Sequence, residues 1–267
     1  MKDKKPKIGI ALGGGGARGF AHIGALKVLV ENGIKPDFIV GVSMGALMGA
    51  CYAMGVPLAD LEAEATGFNR RKAASKLLDL ANPKVSLLKG AKIDKYIKKL
   101  IGEAVFSDTK IPVHVIATDL ATGDEVVLSR GSLVEAIKAS ISVPGIFPPV
   151  KIGDRYLIDG GVTNPTPIDV VERLGADIVL GVDLIMKRNV NLDKPSMAAT
   201  LMQSYEIIRT QAVRFNLNKV NGKAVLIKPK VNGTIDSFKF YDIDKFIRAG
   251  EEAAKEVLPE IKERLGE

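Results

Sequence analysis

An α/β fold is predicted by three features of the 267-residue sequence. Strand-like and helix-like apolar runs alternate along the chain. The first strand-like run, Lys7 to Leu12, opens into Gly13-Gly14-Gly15-Gly16-Ala17-Arg18-Gly19 and then a helix. A second run, Phe38-Ile39-Val40, leads through Gly41-Val42-Ser43-Met44-Gly45 into another helix. Repeated passage from strand through tight turn to helix is the pattern of helices layered on a sheet. No internal repeat, low-complexity tract or linker interrupts it, so one domain over residues 1–267 is the simplest organisation.

Each element has a local reason. A helix from Ala17 to Asn32 places Ile23, Leu26, Leu29 and Val30 on one side, with Gly33 as its C′ residue. The strand at 38–42 precedes a helix at 44–54 that is apolar on every side and must be central. Residues 57–110 read as helices and loops, with Ile93, Ile97, Leu100 and Ile101 at helical spacing; the segment is assigned as a basic insertion beside the site. Strands at 112–118 and 125–128 flank the turn Ala121-Thr122-Gly123-Asp124, and a short helix covers 132–140. Ser142 to Pro149 cannot be helical, because Pro144, Pro148 and Pro149 remove donors and restrict the preceding residues. A strand at 155–158 ends in Asp159-Gly160-Gly161. Pro165 and Pro167 open a helix to Leu174, and 177–184 is a buried strand. Helices near 196–219 and 242–265 flank a strand at 223–228, and Pro259 is expected to kink or restart the last helix.

Composition narrows the function class. The 46% apolar and 26% charged residues are those of an ordinary globular protein. Cys51 is the one cysteine, which excludes an intrachain disulfide and a CxxC metal site, and its place on the apolar helix favours a buried inert thiol. The apolar run after the basic Met1 to Lys7 stops at Leu12, too short for a signal peptide, so a cytoplasmic location is expected. The net charge of +7 is uneven: residues 67–110 and 187–235 each carry a net +7, and the remainder sums to −7. Such segregation suits peripheral contact with an anionic membrane, on the inner face, or else an ordinary solvated helix surface. Nucleic acid is not expected, since no Trp, few aromatics and no nucleic-acid motif accompany the basic residues.

Glycines flanking Ser43 allow the sharp turn that exposes a nucleophilic hydroxyl, and the earlier glycine run can aim N–H groups at a phosphate or an oxyanion. A Ser, Asp/Glu, His triad in that chain order fails, because His22 precedes the serine and His114 precedes the later strand-end acids. Both histidines read as packed residues. A carboxylate alone serves if burial raises its pKa above about 3.9, and Asp119, Asp159 and Asp183 are the candidates. Asp159 leads because Gly160-Gly161 leaves space around it. Two rivals share these residues: a non-catalytic membrane-embedded interaction protein using the uncharged 38–59 stretch with Gly41, Gly45 and Gly49, and a nucleotide binder using Gly14-x-Gly16-x-x-Gly19. The second lacks the ribose-binding acid about 20 residues on.

Four ordered blocks resemble the patatin-like phospholipases: Gly14 to Gly19, Gly41 to Gly45, Ala139-Ser140-Ile141-Ser142-Val143-Pro144, and Asp159-Gly160-Gly161. The similarity covers about residues 7–185. It implies a three-layer α/β/α fold around a central, mostly parallel sheet, with Ser43 as nucleophile and Asp159 as its base. It also implies an oxyanion hole from the N–H groups of Gly14, Gly15 and Gly16, joined by Met44, with Arg18, Gly19, Gly41, Gly45, Gly160 and Gly161 in support. The implied substrates are phospholipid, lysophospholipid or other acyl esters, cleaved without metal or cofactor; acyl transfer or general carboxylesterase action by the same dyad is the alternative. Arg18 holds the loop in shape or touches a lipid phosphate, the first being favoured. The stripe Leu201, Tyr205, Ile208, Ala212 and Phe215 suggests core packing or a homodimer contact ahead of an acyl-chain groove. Residues 186–267 match less clearly and support no substrate assignment.

Overall fold

The computed structural model describes residues 5–67, 79, 86–185, 196–220, 224–230 and 243–267. Eight strands form one sheet: β1 (Ile8–Leu12), β2 (Phe38–Val42), β3 (Val113–Asp119), β4 (Glu125–Leu128), β5 (Val150–Ile152), β6 (Arg155–Asp159), β7 (Ile178–Val182) and β8 (Ala224–Ile227). The path runs β5-β6-β3-β2-β1-β7-β8, with β4 also paired to β3. β3, β2, β1, β7 and β8 are mutually parallel, and the pairs β3–β4, β3–β6 and β5–β6 are antiparallel.

Helices cover both faces, which is why β1, β2 and β7 are buried along their whole length and read as unbroken apolar runs. The period-2 alternation of each strand sorts its side chains between two cores. Ile8, Ile10, Leu12, Ile39, Ile178, Leu180 and Val182 join one core with helices α1 (Ala21–Glu31), α2 (Met44–Met54) and α8 (Ile243–Leu265). Ala11, Phe38, Val40, Val42 and Val179 face the other, with α6 (Ile168–Arg173) and residues at the end of α7 (Met197–Lys219). Helices α3 (Leu58–Thr66), α4 (Ala91–Ile101) and α5 (Leu133–Ile141) add Leu61, Ala65, Ile97, Ile101, Leu133 and Ile137 to the first core.

Several expectations change. The helix expected from Ala17 starts at Ala21, because Gly16 takes φ +56° and residues Gly16–Phe20 wind as a tight 3-10 turn first. The short β5 was not foreseen; three residues are too few for a periodic signal, although Gly153, at φ +60°, marks its hairpin turn to β6. Pro259 lies inside one continuous α8 and does not restart it. The ring sits on the exposed side, where the carbonyl it deprives of a partner can meet water. The 38–59 stretch is divided into β2, a turn and the 11-residue α2, and among the described residues no helix is long and apolar enough to cross a membrane. Residues 68–78 and 80–85 of the basic insertion, and 186–195 before α7, lie outside the described residues.

Candidate active site

The register of β3 brings the site together. β2 pairs with the first half of β3, ending at Val42 opposite Ile116, while β6 pairs with the last part, with Asp159 opposite Ala117. β4 overlaps both stretches of β3, so β2 and β6 must share the other edge, one after the other. Their C-terminal ends meet head-on. Ser43 follows Val42 at that junction, so serine and aspartate converge from strands far apart in sequence.

Ser43 is the only non-glycine residue with positive φ among those described, at φ +55° and ψ −122°, a conformation that costs of order 1–3 kcal/mol in an L residue. Its N–H cannot continue the ladder to β3. The Ser140 hydroxyl, at the end of α5, fills the gap by accepting from the Ser43 N–H at 2.7 Å and donating to the Ile116 carbonyl at 2.6 Å. Gly45 is required by close approach, since a Cβ there would run into the Leu12 carbonyl. Gly19 packs on Met44, Gly41 on Ala46 and Gly160 on the Ile116 carbonyl, each with no room for a side chain unless its neighbours shift.

Asp159 is buried beside this turn. Burial raises its pKa above the ordinary carboxylate range, opposed by the Arg209 charge, the Gly161 N–H at 2.7 Å, and hydrogen bonds from the hydroxyls of Ser43 and Tyr205. A Cβ on Gly161 would crowd the Asp159 carboxylate at 2.9 Å, Arg209 Nε at 3.1 Å and the Tyr205 hydroxyl at 3.2 Å, so these groups cluster around one small space. The other two candidate acids are engaged elsewhere. Asp119 caps a turn through the Ala121 N–H at 2.9 Å and lies 3.7 Å from Arg155. Asp183 accepts from Thr166 at 3.1 Å and from the Ile185 N–H at 3.0 Å.

The glycine loop is held from three directions. Gly13 N–H donates to Val182 and Gly14 N–H to Pro165, at 3.1 and 2.9 Å. The second bond corrects the expectation for Gly14, whose N–H already has a partner within the fold. The Gly14 carbonyl accepts from Arg209, and the Gly15 carbonyl accepts from Arg18 Nε at 3.3 Å. Both guanidinium groups are buried and share Glu206, at 3.2 Å from Arg18 and 3.3 Å from Arg209. Arg18 therefore faces inward into the loop and Glu206. His22, also buried, donates from Nε2 to the Gly13 carbonyl at 2.7 Å, and burial lowers its pKa to about 4, so it is neutral. His114 pairs with Val40 nearer the other end of β3 and packs edge-on against Phe38 at 6.2 Å. Cys51 is buried, its thiol pKa pushed up to about 12 by burial.

Tyr205, Glu206 and Arg209 all come from α7, which sequence reasoning left outside the site. Their spacing is also that of an ordinary surface ion pair, so nothing local marked them as inward. The apolar stripe on the same helix is likewise corrected as core packing: Leu201, Ile208 and Phe215 are 62%, 53% and 65% exposed. Two of the four lysines of α4 are locally matched, with Lys98 at 2.9 Å from Glu103 and Lys99 at 2.6 Å from Glu64.

A strained serine at a strand-to-helix turn, a buried aspartate and a glycine loop, set on a mixed sheet between helical layers, define the class of α/β proteins with a nucleophile elbow. More narrowly, the chain belongs to the patatin-like phospholipase family, whose model matches residues 10–171. NTE family proteins of Mycobacterium tuberculosis and Mycobacterium bovis are 30% identical over 275 residues, covering 94% of this chain and 46% of their own length. Neuropathy target esterase sws of Drosophila melanogaster is 37% identical over 182 residues, which is 66% of this chain and 13% of that protein. The chain thus spans less than half the length of these relatives. Among solved structures, VipD from Legionella pneumophila shares the fold, with a TM-score of 0.53 at 14% identity over 96% of this chain and 67% of that one. The type III effector ExoU matches with a TM-score of 0.52 at 14% identity, over 99% of this chain and 54% of that one.

Proposed function

We propose that the chain is a serine hydrolase of lipid esters, with phospholipid or lysophospholipid as substrate. The observation that carries this reading is the convergence of strained Ser43 and buried Asp159 at one point of β3, beneath the glycine loop. Asp159 accepts the Ser43 Oγ proton as Oγ attacks the ester carbonyl carbon. Negative charge then grows on the carbonyl oxygen, where N–H groups of Gly15, Gly16 and Met44 meet it; one such donor is worth roughly 2.7–4 kcal/mol in other oxyanion holes. The tetrahedral intermediate collapses as Asp159 returns the proton to the departing alcohol. Water then attacks the acyl-enzyme with Asp159 again as base, releasing the fatty acid and restoring Ser43.

Within this reading Arg209 and Tyr205 are positioning residues. Arg209 fixes the carbonyl side of the loop, which sets the direction of the next N–H groups, and its charge favours ionised Asp159. An open cavity of about 420 Å³, lined by Ile93, Ile141, Ser142, Phe147, Pro148 and Val150 and by the charged Lys89, Asp94 and Lys138, is of a size for an acyl chain. It adjoins Asp159 through Ser142, whose carbonyl accepts the Asp159 N–H at 2.9 Å. The family membership and the esterase named among the relatives support the choice of ester bond.

The test is product analysis on a panel of phospholipids, lysophospholipids and short-chain esters, with and without a competing alcohol acceptor. Free fatty acid from wild type and none from Ser43→Ala is expected. Hydrolysis that survives in a folded Ser43→Ala rejects the mechanism, and acylated acceptor in place of fatty acid turns the reading to acyl transfer.

A further inference from the structure

Helix α7 has two unlike faces. Its inner side carries Tyr205, Glu206 and Arg209 into the site. Its outer side shows Met197, Leu201, Ile208 and Phe215 to solvent, at 80%, 62%, 53% and 65% exposure. Spacings of four, seven and seven residues place these four on one stripe, and at 1.5 Å per residue the stripe is about 27 Å long. Leu201 and Ile208 stand four residues before and three after Tyr205, on the ridge beside it, and the Tyr205 hydroxyl reaches Asp159. The stripe therefore runs along the lip of the site.

Charge selects what covers it. The exposed ionic groups of α7 are Arg214 and Lys219, and Lys219 Nζ lies 4.5 Å from the Phe215 ring at the end of the stripe and 3.9 Å from Asp169. The one acid of α7, Glu206, is buried between Arg18 and Arg209. Pairing of two α7 helices from two copies would offer these cations no acid on the facing helix. A membrane rich in anionic phosphates offers both an apolar layer for the stripe and counter-charges for its flanks. Along the sequence, the segment 187–235 that contains α7 sums to net +7.

We propose that the outer face of α7 docks the protein on an anionic lipid surface, with Met197, Leu201, Ile208 and Phe215 entering the boundary between headgroups and acyl chains. Docking there sets the Tyr205 edge of the site against the layer that holds the substrate. This deepens the lipid-ester reading and rests on it for its purpose, although binding itself can be read without catalysis.

The experiment introduces Leu201→Asp with Phe215→Asp, both at exposed positions outside the catalytic machinery. In a Ser43→Ala background, co-sedimentation is measured with vesicles of phosphatidylglycerol and phosphatidylcholine and with phosphatidylcholine alone. Binding to the anionic vesicles is expected to fall at least tenfold in the double variant and to be several-fold weaker on the neutral ones for the parent chain. With Ser43 intact, the double variant should lose vesicle hydrolysis by a similar factor yet keep hydrolysis of a monomeric short-chain ester within twofold. Undiminished vesicle binding by the double variant overturns the proposal. So does sedimentation velocity showing a dimer that the two aspartates dissociate, since the stripe is then a self-interface. A parent chain that hydrolyses neither substrate refutes the catalytic reading instead, and the vesicle comparison still decides the docking.

Discussion

Replacement of Arg209 by Met should separate the two roles given to it, in folding and in catalysis. Arg209 is 4% exposed, bonded to the Gly14 carbonyl and paired with Glu206. Removing one partner of a buried ion pair costs about 3–5 kcal/mol, and the Arg18 contact that remains on Glu206 points to the lower end, about 3 kcal/mol. For a chain of this length that corresponds to a fall in Tm of about 6–12 °C. The catalytic effect has a definite sign. Arg209 favours the ionised form of Asp159, so its loss raises the Asp159 pKa further. The base must be ionised to act, and activity lost as pH falls through that pKa will be lost at higher pH in the variant. The loop also loses a charged hydrogen bond worth about 1.5–3 kcal/mol, and half of that expressed in the transition state lowers kcat by roughly four- to twelvefold. The assay is the pH dependence of kcat on a monomeric ester, with thermal unfolding measured alongside. Arg209→Lys, which keeps the charge but not the planar fork, should return the acid limb toward wild type without restoring full kcat. A folded Arg209→Met with wild-type kcat and an unmoved acid limb would refute the positioning role.

Further outcomes follow from the same geometry. Asp159→Asn should lower kcat by several orders of magnitude, whereas His22→Gln should leave far more activity in the folded protein, as compared by steady-state rates on a soluble ester. The pKa of His22 falls from its ordinary 6.5 to about 4 on folding, so the unfolded chain binds the extra proton between those values. Stability should therefore fall by about 3 kcal/mol as pH drops from 6.5 to 4, a slope that denaturant titration would find flattened in His22→Gln. Ser140→Ala leaves the Ser43 N–H facing the Ile116 carbonyl with no bridge, and should cost about 1–3 kcal/mol in denaturant unfolding while lowering kcat.

The parts of this site that were legible in sequence are those set by nearby residues. Ser43 could be placed because the glycines and apolar runs around it are contiguous, and the same holds for β1, β2 and α2. Asp159 was legible as a strand-end acid beside two glycines, but its meeting with Ser43 depends on two strands sharing one edge of β3. Ser140 lay in a recognised block without a role, since its function is to bridge a gap that exists only in the folded sheet. Which loop glycine keeps a free donor was not legible at all; Gly14 loses its N–H to Pro165, about 150 residues away. Glu206 and Arg209 act across comparably long separations and Tyr205 reaches back to Asp159, and the apolar periodicity beside them suggested burial where the helix in fact lacks a cover among the described residues. The basic excess at 67–110 was visible as a sum, while the pairing of Lys98 and Lys99 with Glu103 and Glu64 required the fold.

The proposed mechanism makes Ser43 the nucleophile and Asp159 its base. Intact-protein and peptide mass spectrometry after treatment with a fluorophosphonate ester tests it most directly, since that reagent phosphonylates an activated serine. One adduct is expected, on Ser43, absent from Ser43→Ala and formed orders of magnitude more slowly in Asp159→Asn. An adduct on another residue, or labelling of Asp159→Asn at the wild-type rate, would contradict it.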